Sequence, residues 1–497
     1  MRHKIFNDNY LNTACLVFVF IAVVAMKYFW QKNVMGPFIF ADESEYFQVA
    51  RIMAQQGTWI KSQYNPLYPF LLSLVMKYCS PINTYEFSKI FNILVFSSSL
   101  FFLYPLACRL FNTRLQALMV SSLAVLLPLG SSTFMVWANP LSYFFFFAST
   151  FLIIRFTESP HSILLAMTAG TVASLSFLSK QGAVVEIGAL ILIVIILLAS
   201  GRTKVHNAVA FIIIPLLTMI AVFMYRDNQG TNPIGYAGPV HEGLYYFKMI
   251  GYVLGSFIFN IGIIYISGFF ALVTTFVLLF KHLRQMEWNK RTMLIYTGVT
   301  LLGYLILIVT YRTVMQDISV SYEYPMGRYL AGPIVIVFLI GLSGYVGKLY
   351  PFLHNGKISY WIVALSGVAV VICCGLLKHI GAYDLISSPD MAIFSYVYNK
   401  AAISWNKISE IGWNYRYAAI LFLLLIPTTA GGFTGKTGRL ILAVIIAFMT
   451  IGMFYTSHYY MYSISKTHYD FHRMIRHAMR NDLLPIVFDP KSFDPKR

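Results

Sequence analysis

Residues 183–200 read AVVEIGALILIVIILLAS, eighteen consecutive positions whose one charge, Glu186, lies near the start. A run of this length crosses a hydrocarbon core of about 30 Å as a single helix. Runs of about 18–25 apolar residues recur from one end of the chain to the other. Of the 497 residues 58% are hydrophobic and 11% charged, where a soluble domain carries roughly 25% charged residues. Mean hydropathy is +0.67. The pattern predicts an all-α, polytopic membrane protein. It excludes a soluble enzyme, a secreted disulfide scaffold and a disordered tail, and it lacks the short alternating segments of an outer-membrane barrel.

About thirteen spans are expected, at 11–29, 90–108, 115–133, 141–155, 162–179, 183–200, 207–225, 257–280, 292–310, 329–347, 359–377, 417–431 and 440–457. The 37 Lys and Arg against 19 Asp and Glu give a net charge of +18. Arg2/Lys4, Arg109/Arg114, Arg155, Arg202/Lys204, Lys281/Arg284/Lys290/Arg291, Lys348/Lys357 and Lys436/Arg439 all fall on one side of this arrangement. Positive short loops mark the cytoplasmic side, so the N-terminus is expected inside, in a cell (inner) membrane. Anionic membrane lipids account for part of the basic excess. Nucleic acid is not indicated, since no basic block is interleaved with aromatics. The five cysteines form no CxxC or Cys/His spacing, so neither a disulfide framework nor a zinc site is expected. The first run is too long for the apolar part of a cleavable signal, and no small-residue cleavage site follows it.

The long segments and most carboxylates then fall on the opposite side. Residues 1–457 read as one membrane domain whose first outer loop covers about 30–89, and 458–497 as a short non-cytoplasmic tail. In that loop Gly36-Pro37 breaks the first helix and Asp42 is placed to cap the next. Over 42–56, Tyr46, Val49, Ala50 and Met53 share one face and Glu45, Gln48 and Gln55 the other. This spacing predicts an amphipathic helix along the membrane surface, ended by Gly57. Asn65-Pro66-Leu67-Tyr68-Pro69 opens a second short helix. The Asp42-Glu43 pair has two readings: a helix start with favourable dipole charges, or a general base facing a lipid-borne substrate.

The run Ala41-Asp42-Glu43…Tyr46…Ala50…Gly57…Asn65-Pro66-Leu67-Tyr68-Pro69 resembles the first outer loop of GT-C superfamily glycosyltransferases. The likeness is closest to the branch of protein O-mannosyltransferases and the lipid A aminoarabinose transferase. Leu178-Ser179-Lys180-Gln181-Gly182 resembles that family's Lys/Arg-containing turn between the fifth and sixth spans. Gly327-Arg328-Tyr329-Leu330, followed by Pro333, resembles its Gly-Arg-Tyr start of a late span. The resemblance covers the membrane part in architecture and about 50 residues in motif.

It implies transfer of a sugar from a polyprenyl-phosphate donor to a lipid, glycan or protein acceptor at the outer membrane face. Displacement at an anomeric carbon needs a base for the acceptor hydroxyl, with Asp42 first and Glu43 second. The departing phosphate needs fixed positive charge, for which Arg328 comes first, then Lys180, then Lys89. Many relatives place a carboxylate after the third span, where this chain has Asn139; an amide bonds sugar hydroxyls but is a poor metal ligand. No cofactor is assigned, and a family-style divalent-cation site is put in doubt. Glu186 is expected either to pair with Lys180 or to contact substrate. Tyr46, Tyr68, His241 and Glu242 complete the candidate sugar contacts, with an interfacial aromatic belt as the alternative reading of the last two. In the tail, Phe471, Met474, Ile475 and Ala478 with Arg473, Arg476 and Arg480 predict a basic surface helix. The competing functions are an O-antigen-type polymerase or ligase, whose chemistry would sit at 378–416, and a lipid or solute transporter, which should carry mid-membrane ionisable sites.

Overall fold

A computed structural model describes residues 2–32, 41–57, 64–127, 136–225, 269–315 and 327–352, with shorter pieces and single positions at 34, 62, 133, 257, 260–262, 264, 265, 361, 362, 364–369, 441, 443–448, 450–452, 454, 473 and 476. Side chains at 2–12, 41, 42, 44, 225, 310–315, 327 and 328 are outside that description. Every described element is helical. In chain order these are α1 (Arg2–Gln31), α2 (Ala41–Gln56), α3 (Leu67–Met76), α4 (Pro81–Ser98), α5 (Leu100–Leu110), α6 (Arg114–Leu126) and α7 (Asn139–Glu158). They continue with α8 (Ile163–Ser179), α9 (Val184–Ala199), α10 (Val205–Tyr225), α11 (Phe270–Leu279), α12 (Trp288–Met315) and α13 (Gly327–Val346).

Local chemistry sets the boundaries. Ser80 caps α4 by accepting the Asn83 N–H, and Pro81 occupies the first turn, where no donor is lost. Thr113 and Gln116 form a reciprocal capping box at α6, with both bonds at 3.2 Å. Gly57 ends α2 at φ +67°, a left-handed turn that a side chain would strain.

Among the described residues, seven helices are long and apolar enough to cross a membrane: Thr13–Gln31, Pro81–Leu110, Asn139–Glu158, Gln181–Ala199, Val205–Met224, Trp288–Val309 and Tyr329–Val346. The chain is therefore a multi-pass membrane protein. Thirteen spans are not reached in this count. The spans expected at 115–133 and 162–179 form helices of only 13 and 17 residues. The span at 90–108 extends backward to Pro81, which takes part of the expected first loop into a 30-residue helix. The span at 417–431 lies outside the described residues.

Packing is built around α7 and α13. From Ile334 to Ile340 every α13 side chain is buried, as a helix apolar on all faces requires. Small residues set the closest approaches: a Cβ on Gly341 would stand 2.6 Å from the Leu272 carbonyl of α11, and one on Gly170 would stand 2.5 Å from the Phe211 carbonyl of α10. By contrast α1 is peripheral, with Phe18, Ile21 and Phe29 exposed.

The basic short loops meet at one end. Arg109 holds both oxygens of Glu158 at 2.6 and 2.8 Å, and Arg155 reaches the same carboxylate at 3.2 Å. Lys348 donates to the Cys108 carbonyl at 2.9 Å, and Thr203 and Asn207 both donate to the Pro160 carbonyl. Arg202 and Arg291 stack on the Trp288 ring at 4.3 and 4.7 Å. These contacts place the ends of α5, α7 and α13 and the loops before α8, α10 and α12 at one end of the bundle. The starts of α7 and α13 and the end of α8 gather at the other end.

Candidate active site

The segment between the first two spans folds as two short helices. Tyr46, Val49, Ala50 and Met53 of α2 are buried, while Gln48 and Gln55 are exposed, the face division that the spacing predicts. The buried face packs on α3 and on Tyr85 of α4, so protein and not a membrane surface covers it. Tyr46 meets Tyr64 and Tyr68 with ring centroids 4.9 and 5.3 Å apart. Burying rings of this size stabilises the pair of helices by about 1.5–3 kcal/mol each.

Glu43 is fully buried. Its Oε1 accepts the Val136 N–H at 3.1 Å, and its carboxylate faces the Tyr85 hydroxyl. It therefore joins α2 to the segment that leads into α7. Asn65 Nδ2 donates to the Phe177 carbonyl in the last turn of α8, which ties the start of α3 to the turn that carries Lys180. Asn92 Nδ2 lies 3.1 Å from the Tyr68 hydroxyl and 3.4 Å from the Trp137 carbonyl, linking α3, α4 and the approach to α7. Burial pushes the Tyr68 phenol above its ordinary range, so it stays a neutral hydroxyl.

Lys180 follows α8 in an extended conformation (φ −152°, ψ 133°), which directs its side chain across the bundle. The ammonium donates to Asn139 Oδ1 at the start of α7 and stands 4.2 Å over the Tyr329 ring at the start of α13. A Cβ on Gly182 would touch the same ring at 3.4 Å. Lys180, Asn139 and Tyr329 thus form one cluster, and Arg328 precedes Tyr329 in the first turn of α13.

Several expectations change. Glu186 makes no direct ion pair with Lys180: Ser176 and Tyr304 hydroxyls each donate to it at 2.7 Å, and it is buried between α8, α9 and α12. The extended backbone at Lys180 is the reason, because it sends the ammonium toward α7 and α13. Lys89 is buried against the Val34 carbonyl at 3.1 Å and Glu86 at 3.3 Å, with Arg476 holding the other Glu86 oxygen at 2.8 Å. Tyr46 and Tyr68 are core residues of the loop helices. Asp42 lies in the first turn of α2 and Arg328 in that of α13, with both side chains outside the described residues. His241 and Glu242 lie wholly outside them. Among the described residues no three His, Cys, Asp or Glu side chains gather as metal ligands.

The bonds through Asn65, Asn92 and Tyr329 were not singled out from sequence. Asn65 and Tyr329 stand inside the quoted motifs, but Asn92 had no signal, since its partners lie 24 and 45 residues away.

The architecture is that of a multi-pass helical membrane protein with two short helices in its first inter-span segment. Among solved structures it is similar to ArnT from Cupriavidus metallidurans, in a crystal structure bound to undecaprenyl phosphate and in another in the apo state. Both are 13% identical to this chain and cover 91% of it and 77% of their own length, with TM-scores of 0.47 and 0.46. No protein-family profile matches the chain, and no curated protein does.

Proposed function

We propose that this protein is an integral-membrane glycosyltransferase that moves a sugar from a polyprenyl-phosphate carrier to an acceptor at the outer face of the membrane. The observation that carries the reading is the meeting of four separate motif segments at one end of the bundle. Glu43 holds the segment before α7, Asn65 holds the end of α8, and Lys180 joins Asn139 to Tyr329. These contacts bring the first inter-span segment, the turn after α8 and the starts of α7 and α13, each carrying groups that sugar and phosphate chemistry needs, to the same end of the bundle.

In this reading Asp42 takes the proton from the acceptor hydroxyl. The acceptor oxygen forms the new bond to the anomeric carbon as the bond from that carbon to the carrier phosphate breaks. The electron pair of that bond stays on the phosphate oxygen, and polyprenyl phosphate leaves. Arg328, beside Tyr329, and Lys180 supply fixed positive charge where the negative charge develops, so they act most strongly in the transition state. Glu43 does not share the proton transfer; it orients the first turn of α2, on which Asp42 is the preceding residue. Asn139 replaces a carboxylate with a group that fixes the Lys180 ammonium and offers amide bonding to a sugar. Glu186 and Lys89 act as supports, through the Ser176–Tyr304 pair and the Glu86 contact.

The test is mass spectrometry of membranes supplied with a panel of polyprenyl-phosphate sugars. The wild-type protein should transfer one of them. Asp42→Asn should abolish transfer with expression and insertion intact, and Arg328→Ala should lower turnover by about 10²–10³-fold, the usual cost of losing one preorganised charge partner. Full activity in Asp42→Asn would remove the base assignment, and an unchanged rate in Arg328→Ala would remove the phosphate assignment.

A further inference from the structure

Lys27 lies in the last turns of α1 and is fully buried. Its ammonium stands 4.1 Å over the Phe96 ring of α4 and has no hydrogen-bond partner among the described residues. One turn on, Gln31 is also buried. Its Nε2 donates to Thr133 Oγ1, while its Oε1 has no partner among the described residues. Residues four apart share a helix face, and this face is the one that α1 turns toward α4.

The orientation is unusual for a helix placed as α1 is. Its neighbours Tyr28 and Phe29 face outward, and a lysine near the end of a span ordinarily runs its stem along the helix to carry the ammonium to water. Lys27 turns inward instead. An ammonium at membrane depth needs an acceptor or a counter-charge, and an aromatic face compensates only part of that need. An ammonium without an acceptor, one turn from an amide oxygen without a donor, matches a ligand that offers an anionic oxygen and a nearby hydroxyl. Phosphate-headed lipids carrying hydroxyls have this chemistry. Both polar atoms are enclosed by protein, and α1, the peripheral element of the pair, is the one that would part from α4 to admit a headgroup.

We propose that Lys27 and Gln31 form a lipid-phosphate site in the seam between α1 and α4. The site shares no residue with the Lys180 cluster: Gln31 touches Thr133, whereas Lys180 touches Asn139. It does not depend on the transferase reading, because it asks only for an anionic lipid.

The experiment is native mass spectrometry of the full chain in detergent, titrated separately with phosphatidylglycerol, a polyprenyl phosphate and zwitterionic phosphatidylcholine. Retention is read as the difference between wild type and Lys27→Met, so lipid held elsewhere cancels. Lys27→Met is expected to lower retention of one anionic lipid at least tenfold, with Lys27→Arg within about threefold of wild type and phosphatidylcholine unaffected. Loss of phosphatidylglycerol assigns the site to bulk lipid, and loss of polyprenyl phosphate assigns it to a carrier. Unchanged retention of both overturns the proposal. If Lys27→Met is not recovered folded, Gln31→Leu is read in the same way, with a several-fold loss expected and unchanged retention overturning the site.

Discussion

A double-mutant cycle on Lys180 and Asn139 tests the junction on which the candidate site is built. The ammonium donates to Asn139 Oδ1 and stacks over Tyr329 at 4.2 Å. A hydrogen bond to a charged group contributes about 1.5–3 kcal/mol, and a partly desolvated cation over an aromatic ring adds about 0.5–2 kcal/mol. Lys180→Met removes both and leaves the buried Asn139 carbonyl without this donor. Asn139→Leu removes only the first. The coupling between the two substitutions, read from thermal unfolding in micelles, should therefore be about 1.5–3 kcal/mol, the hydrogen bond alone. Transfer rates should separate the variants further. Asn139→Leu keeps the cation near the departing phosphate, while Lys180→Met loses it, so the second should be slower by a further 10²-fold or so. Additivity within about 0.5 kcal/mol would mean that the two groups do not interact. Equal rates in the two single variants would take Lys180 out of phosphate stabilisation and leave it as a strut.

Two other substitutions probe the frame around that junction. Glu43→Ala leaves the buried Val136 N–H without its acceptor and should cost about 1–3 kcal/mol in thermal unfolding, whereas Glu43→Gln keeps an acceptor and should retain most activity; a Glu43→Gln protein as inactive as Asp42→Asn would mean that Glu43 itself handles the proton. Gly341→Ala would drive a methyl to within 2.6 Å of the Leu272 carbonyl and 2.9 Å of its Cα, so α11 and α13 must part at a cost of about 1–3 kcal/mol; an unchanged unfolding temperature would refute that close crossing.

Reading the chain unaided succeeds where one physical rule dominates. Apolar runs such as 183–200 and 207–225 become helices within a residue or two of their expected limits, because the bilayer tolerates no other arrangement of the backbone. The face of α2 is equally legible from its period, but what covers it is not: periodicity identifies Tyr46 and Met53 as buried without saying whether lipid or α3 buries them. Pairings across long stretches of chain are beyond such rules. Glu43 meets Val136 across 93 residues and Lys180 meets Asn139 across 41. Proximity in sequence misled once, where Glu186 stands six residues from Lys180 yet takes its bonds from Ser176 and Tyr304. Motif order carried more than motif content, since it placed Asn139, Lys180 and Tyr329 on spans whose ends meet.

Because Ser99 keeps helical φ and ψ, α4 and α5 run on as one stretch of 30 residues from Pro81 to Leu110, about 45 Å long and roughly 15 Å more than a hydrocarbon core. Its Arg109 end is pinned by Glu158 at the short basic loops, so the surplus emerges at the end bearing Tyr85, Glu86 and Lys89. That surplus forms a post inside the protein, against which Phe47 of α2 and Tyr68 of α3 are packed through Tyr85 and Ile82. Shortening it by a turn would draw Tyr85 about 5 Å from that contact while Glu43 and Asn65 still hold α2 and α3 to the approach to α7 and to α8, so the platform would come apart rather than sink.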